Sequence, residues 1–129
     1  MVIMKRFIYL TNPHVFVDNS SWIGRIDKVD SKVNLLNRIS VSLQFPDYFG
    51  FNWDALYDCL RDFHWIKHRN IIIIHDDIPI LDDQVLKIYV NVLYDAINDW
   101  QEGEDHVLDV IFPKQYEQKI ESLIARMNP

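Results

Sequence analysis

At 129 residues the chain has the length of one domain, and its 49% apolar and 25% charged residues match an ordinary water-soluble globular protein. Nineteen acids against 13 bases give a net charge of −6, which argues against gripping nucleic acid through clustered Lys and Arg. The single cysteine, Cys59, excludes an internal disulfide, and no segment approaches the ~20 apolar residues of a membrane span, so a cytoplasmic protein with no membrane contact is expected.

The N-terminal apolar run stops at Thr11-Asn12-Pro13, too soon for a signal peptide. Within it, Lys5 to Leu10 is β-branched and aromatic and reads as a strand. Val15 to Val17 reads as a second short extended piece, and Asp18 to Val29 as irregular. Asp30-Ser31 offers an N-cap, after which Val33, Leu36, Ile39 and Leu43 recur at helical spacing until Pro46. Asn52 can cap a second helix ending near Phe63, with Asp54 in the first turn where the macrodipole favours an acid. Asn70 to His75 holds four consecutive isoleucines, the pattern of a strand buried on both faces. Asp82 to Trp100 is the clearest helix, with a stripe of Val85, Tyr89, Val92, Leu93, Ala96, Ile97 and Trp100. His106 to Phe112 reads as another strand. Pro113 can start a last helix carrying Tyr116, Ile120, Leu123, Ile124 and Met127. Strands alternate with helices, which predicts a small, mainly parallel α/β sheet covered by helices.

Catalytic constellations are scarce. Asp76-Asp77 follows the isoleucine strand, where parallel sheets bind ligands, and with His75, Asp82 and Asp83 it could form a divalent metal site. The competing reading makes these acids loop and cap residues. His64 and His68 are four apart but lack a third ligand in register. Cys59 falls on the apolar side of its helix and reads as a core residue rather than a nucleophile. No phosphate-binding glycine loop or zinc cysteine pair is present, so no metal and no cofactor are expected.

The segment Phe45 to Leu60 is the most informative. Asp54, Asp58 and Asp62 recur on one flank, opposite Leu56, Cys59, Leu60 and Phe63. Like charges one helical turn apart cost roughly 0.2–0.5 kcal/mol. A solvated face, with Arg61 compensating Asp58, accounts for the spacing; so does a protein-binding surface, since Tyr48, Phe49 and Tyr57 stand among the acids.

Pro46, Tyr48, Gly50, Asn52, Asp54, Ala55, Leu56, Asp58, Cys59 and Leu60 together form a long ungapped motif that resembles the barstar family of ribonuclease inhibitors. The order of elements from Val15 to Phe112 agrees with it. The resemblance implies a small three-stranded parallel sheet packed with helices, here with an extra N-terminal strand in residues 1–14 and a C-terminal helix in 113–129, all one domain. It implies a non-enzymatic inhibitor or immunity protein that plugs the basic active site of a ribonuclease or other nuclease toxin, with an acidic helix standing in for substrate phosphate. By position, Asp58 would take the phosphate site with Asp54 beside it. Tyr48 and Phe49 would contact the enzyme from the turn, and Tyr57 and Phe63 stand where the family carries aromatics. Asp95, on the long helix, is the candidate second acidic contact. Asp62 departs from the family, replacing a glycine at the enzyme contact. The competing functions are a small metal-dependent enzyme centred on Asp76 and Asp77, and a regulatory binding module with a non-nuclease target.

Overall fold

Ile71 and Ile73 point to one face of the central strand, Ile72 and Ile74 to the other, and all four are buried. The isoleucine run therefore fills two hydrophobic layers, as a strand with a side-chain period of two requires. The computed structural model describes residues 4–125. In it, strands β1 (Ile8–Leu10), β2 (Trp22–Ile26), β3 (Asn70–His75) and β4 (Val107–Pro113) form a single sheet of order β1-β4-β3-β2. Every pairing is parallel. The sheet thus holds four strands: three expected from the family resemblance, and the N-terminal β1, which adds to the β4 edge.

The main core lies between the sheet and helices α1 (Lys32–Ser42), α2 (Trp53–Leu60), α3 (Asp83–Asp99) and α4 (Glu117–Leu123). Leu35, Leu36, Ile39 and Leu43 bury the inner face of α1, whereas Val33, expected inside, is exposed. On α3 the buried stripe runs through Leu86, Tyr89, Val90, Leu93, Ala96 and Ile97, so Val85 and Val92 only flank it.

Two expectations near the N-terminus need correction. Val15 to Val17 forms no strand: Pro13 opens a 3-10 turn over Pro13–Val15, and the extended backbone returns only at Phe16. The span read as irregular contains edge strand β2. The segment between β1 and β2 covers the second face of the sheet, where Phe16 packs against Ile72, Ile74 and Ile111. Arg25 on β2 pins this segment by donating to the Pro13 and Phe16 carbonyls. Gly24 lets β2 lie close under α1, since a Cβ there would fall 2.6 Å from Leu43.

The C-terminal expectation also shifts. Pro113 ends β4, a 3-10 turn follows at Lys114–Tyr116, and α4 starts only at Glu117. Ile120 and Ile124 are buried, while Met127 lies outside the described residues. No helix among the described residues is long and apolar enough to cross a membrane.

Candidate functional site

The site is built from the turn at Phe45–Phe51 and helix α2. Asn52 is the N-cap: its side-chain oxygen accepts from the Ala55 N–H at 2.8 Å. Its amide nitrogen donates back to the Gly50 carbonyl at 3.3 Å. One side chain thus fixes both the helix start and the bend before it. Phe45, Phe49 and Phe51 form a run of touching rings, with centroids 4.9 Å and 4.7 Å apart. Phe51 has φ +53°, the left-handed region that bulky residues avoid, and the residue is 51% exposed.

The other end of α2 is held by aromatics. The Trp100 indole donates to the Leu60 carbonyl at 2.8 Å, satisfying a C-terminal backbone group. Phe63, at φ +54°, stacks on Trp100 with centroids 6.3 Å apart. Helix α2 therefore stops at Leu60, three residues before the expected end near Phe63, and Asp62 sits in the following turn.

The predicted contact residues divide by exposure. Tyr48, Asp54, Asp58, Asp62 and Asp95 are exposed, and Tyr57 is half-buried. Phe63 is 0% exposed and cannot touch a partner; its aromatic position serves the core. Phe49 is buried too, reaching the surface only as a wall of a pocket of about 140 Å³ lined also by Tyr48, Ala55, Asp58, Cys59 and Asp62. The structure thus brings Tyr48, Phe49, Asp58 and Asp62 around one concavity, with apolar walls and acids at its edge. Cys59 stays a core residue: burial, then the charges of Asp62 and Asp58, push its thiol up to about 11.

Electrostatics separate the acids. Asp62 holds His64 at 3.0 Å and accepts a long hydrogen bond of 3.5 Å from the Tyr48 hydroxyl. Arg61, expected to compensate Asp58, instead reaches Glu104 at 3.3 Å and lies over the Trp100 ring at 4.3 Å. Among the described residues neither Asp54 nor Asp58 makes a salt bridge or side-chain hydrogen bond. No Lys or Arg occurs between Arg38 and Arg61, and Lys32, which approaches α2, lies over the Trp53 ring at 5.1 Å without forming a salt bridge to Asp54 or Asp58.

Helix α3 contributes a residue missed in the sequence. Tyr57 on α2 donates its hydroxyl hydrogen bond to Asp99, and that bond, with burial second, raises the Tyr57 phenol. Asp95 lies one turn earlier on α3, its carboxyl raised by burial and then by Asp99. Asp99 could have been found from its i, i+4 spacing to Asp95, but its link to Tyr57 spans 42 positions of sequence.

The residues of the metal reading have other work. His75 is fully buried, donating from Nδ1 to the Ile111 carbonyl at 2.9 Å and accepting at Nε2 from the Tyr89 hydroxyl at 2.6 Å. Asp76 faces Arg25 at 3.7 Å, and Asp77 accepts from the Ile78 N–H at 2.8 Å. Asp82 caps α3 and Asp83 meets Lys119 at 3.2 Å. Among the described residues no group of three or more His, Cys, Asp or Glu is arranged to hold a metal ion. His106, just before β4, is buried against Phe63 and Trp100 and donates to the His68 carbonyl at 2.8 Å.

Fold and site together define a small parallel α/β protein that presents an acidic helix beside an aromatic turn. Residues 24–113 match the family model Barstar (barnase inhibitor), and the chain belongs to the barstar family. That match spans β3, β4 and all of α1, α2 and α3, leaving β1 and α4 outside it. No curated protein and no solved structure matches the chain.

Proposed function

We propose that this protein is a cytoplasmic inhibitor of a ribonuclease, acting by placing the Asp58 carboxylate in the enzyme's phosphate site. The observation that carries the reading is the Asp54–Asp58 pair beside an acid-rimmed aromatic pocket, in a chain of the barstar family. A ribonuclease must hold cationic groups to stabilise phosphate in its transition state. A carboxylate among them makes charge-assisted hydrogen bonds once the interface excludes water. Asp54 stands one turn from Asp58, and Tyr48 frames the pocket. Tyr57 ties α2 to Asp99 on α3, so Asp95 and Asp99 form the second acidic contact. The protein performs no catalysis of its own and uses no metal or cofactor. Its net charge of −6 speeds encounter with a basic enzyme and disfavours nucleic acid as a partner.

The test is titration of the purified protein into a panel of barnase-type ribonucleases, following RNA cleavage. At least one enzyme is expected to lose activity at a near-stoichiometric ratio. Full activity of the whole panel under micromolar excess would overturn the ribonuclease assignment and favour a different protein target for the same surface.

A further inference from the structure

Phe51 combines two features with no role in the fold's interior. The residue is half exposed to solvent, and its backbone sits at φ +53°. A phenylalanine at the residue before an N-cap commonly folds back onto the first helical turn as a staple. Here its ring partner is Phe49 instead, at 4.7 Å. Asn52 spans the bend by bonding both Gly50 and Ala55, which holds Phe51 in the left-handed conformation. Glycine or asparagine fits such a position without strain, so a half-exposed phenylalanine there points to use of its ring.

The surroundings identify the occupant. Phe49, which Phe51 touches, lines the pocket that also holds Asp58 and Asp62. Asp47 and Asp54 flank Phe51 in sequence, both exposed, and no basic residue occurs from Ile39 to Leu60. The ring therefore lies between Asp47 and Asp54 in sequence, with Lys32 held over the nearby Trp53 ring at 5.1 Å, and is backed by a row of aromatics reaching Phe45 and Trp65. We propose that Phe51 is a specificity-determining contact, receiving an Arg or Lys side chain from the rim of the target ribonuclease across its exposed face. Attraction of a cation to a ring face, reinforced by nearby carboxylates, strengthens as the interface excludes water. Because Asn52 has already ordered the bend, little side-chain freedom is lost on binding. This inference rests on the ribonuclease-inhibitor reading.

The experiment compares Phe51→Gly, Phe51→Leu, Phe51→Tyr and Asp58→Ala for affinity toward the most strongly inhibited ribonuclease of the panel, with melting temperatures measured alongside. Phe51→Gly is expected to weaken binding by about tenfold or more while the melting temperature stays within about 3 °C of wild type. Phe51→Tyr, which keeps the ring face, should bind within about twofold, whereas Phe51→Leu, which keeps apolar area alone, should lose most of what glycine loses. If Phe51→Gly melts earlier, the ring also shields Phe49, and Phe51→Leu, checked for folding by circular dichroism, decides the contact. A leucine or glycine variant that binds as tightly as wild type while Asp58→Ala binds poorly overturns the inference alone. Undiminished binding by Asp58→Ala, or no inhibition by wild type, overturns the reading beneath it.

Discussion

His75 shows how a single side chain can look catalytic in sequence and be structural in space. Burial pushes its imidazole down to about 4 from an ordinary 6.5, with the Ile111 carbonyl opposing weakly. A folded pKa below the unfolded one means that the neutral form stabilises the fold. That contribution is complete above pH 6.5 and is lost as pH falls toward 4, where it amounts to roughly 3 kcal/mol. Urea midpoints should therefore drop across that window, and His75→Gln, which bonds without titrating, should flatten the drop. An unchanged slope in the variant would assign the acid sensitivity to other groups. Asp58 is legible in a different way. Its identity and place follow from the motif, but its lack of a counter-ion does not, because Arg61 had to be seen turning to Glu104 and Trp100. Phe63 misled for the opposite reason: nothing in its sequence neighbourhood signals that a left-handed backbone turns its ring fully inward.

At the scale of elements, α2 depends on its two ends. Asn52→Ala removes the cap and the bond to Gly50, and should cost about 0.5–2 kcal/mol of stability in denaturant unfolding. It should also weaken partner binding beyond that cost, since the turn carrying Tyr48 and Phe51 loses its anchor; unaltered affinity would separate the turn from recognition. The cap, the isoleucine strand and α3 were all readable because each obeys a local rule: a capping residue, an unbroken apolar run, a helical stripe. Strand β2 was not. Gly24 answers the close approach of α1, and Arg25 answers the carbonyls of the covering segment, so its pattern records tertiary contacts instead of alternation. The true end of α2 was equally hidden, being set by Trp100 from 40 residues away.

Across the whole molecule, the two terminal elements outside the family match are joined to each other. Tyr9 on β1 donates to Glu121 on α4 at 2.6 Å, and Arg6 meets the same carboxylate at 3.2 Å. Asn91 on α3 donates to the Leu123 carbonyl at 2.9 Å and accepts from the Ala125 N–H at 2.7 Å. Tyr9→Phe should therefore lower stability by about 1–2 kcal/mol, as a part-buried charge-assisted bond is lost. Its inhibitory strength should stay at the wild-type level, because neither Tyr9 nor Glu121 is among the proposed contact residues; a parallel loss of inhibition would bring the termini into the binding site. The parallel sheet was foreseeable from alternating elements, whereas the bridge between the termini spans 112 positions and leaves no local trace.

We propose that Asp58 serves the partner and not the fold. The most direct measurement sets the affinity of Asp58→Ala for the inhibited ribonuclease beside its melting temperature. The expected result is binding weakened about a hundredfold or more. The melting temperature should be unchanged or slightly raised, since the variant relieves the Asp54–Asp58 repulsion. Wild-type affinity in Asp58→Ala, or a loss of affinity explained by unfolding, would contradict the account.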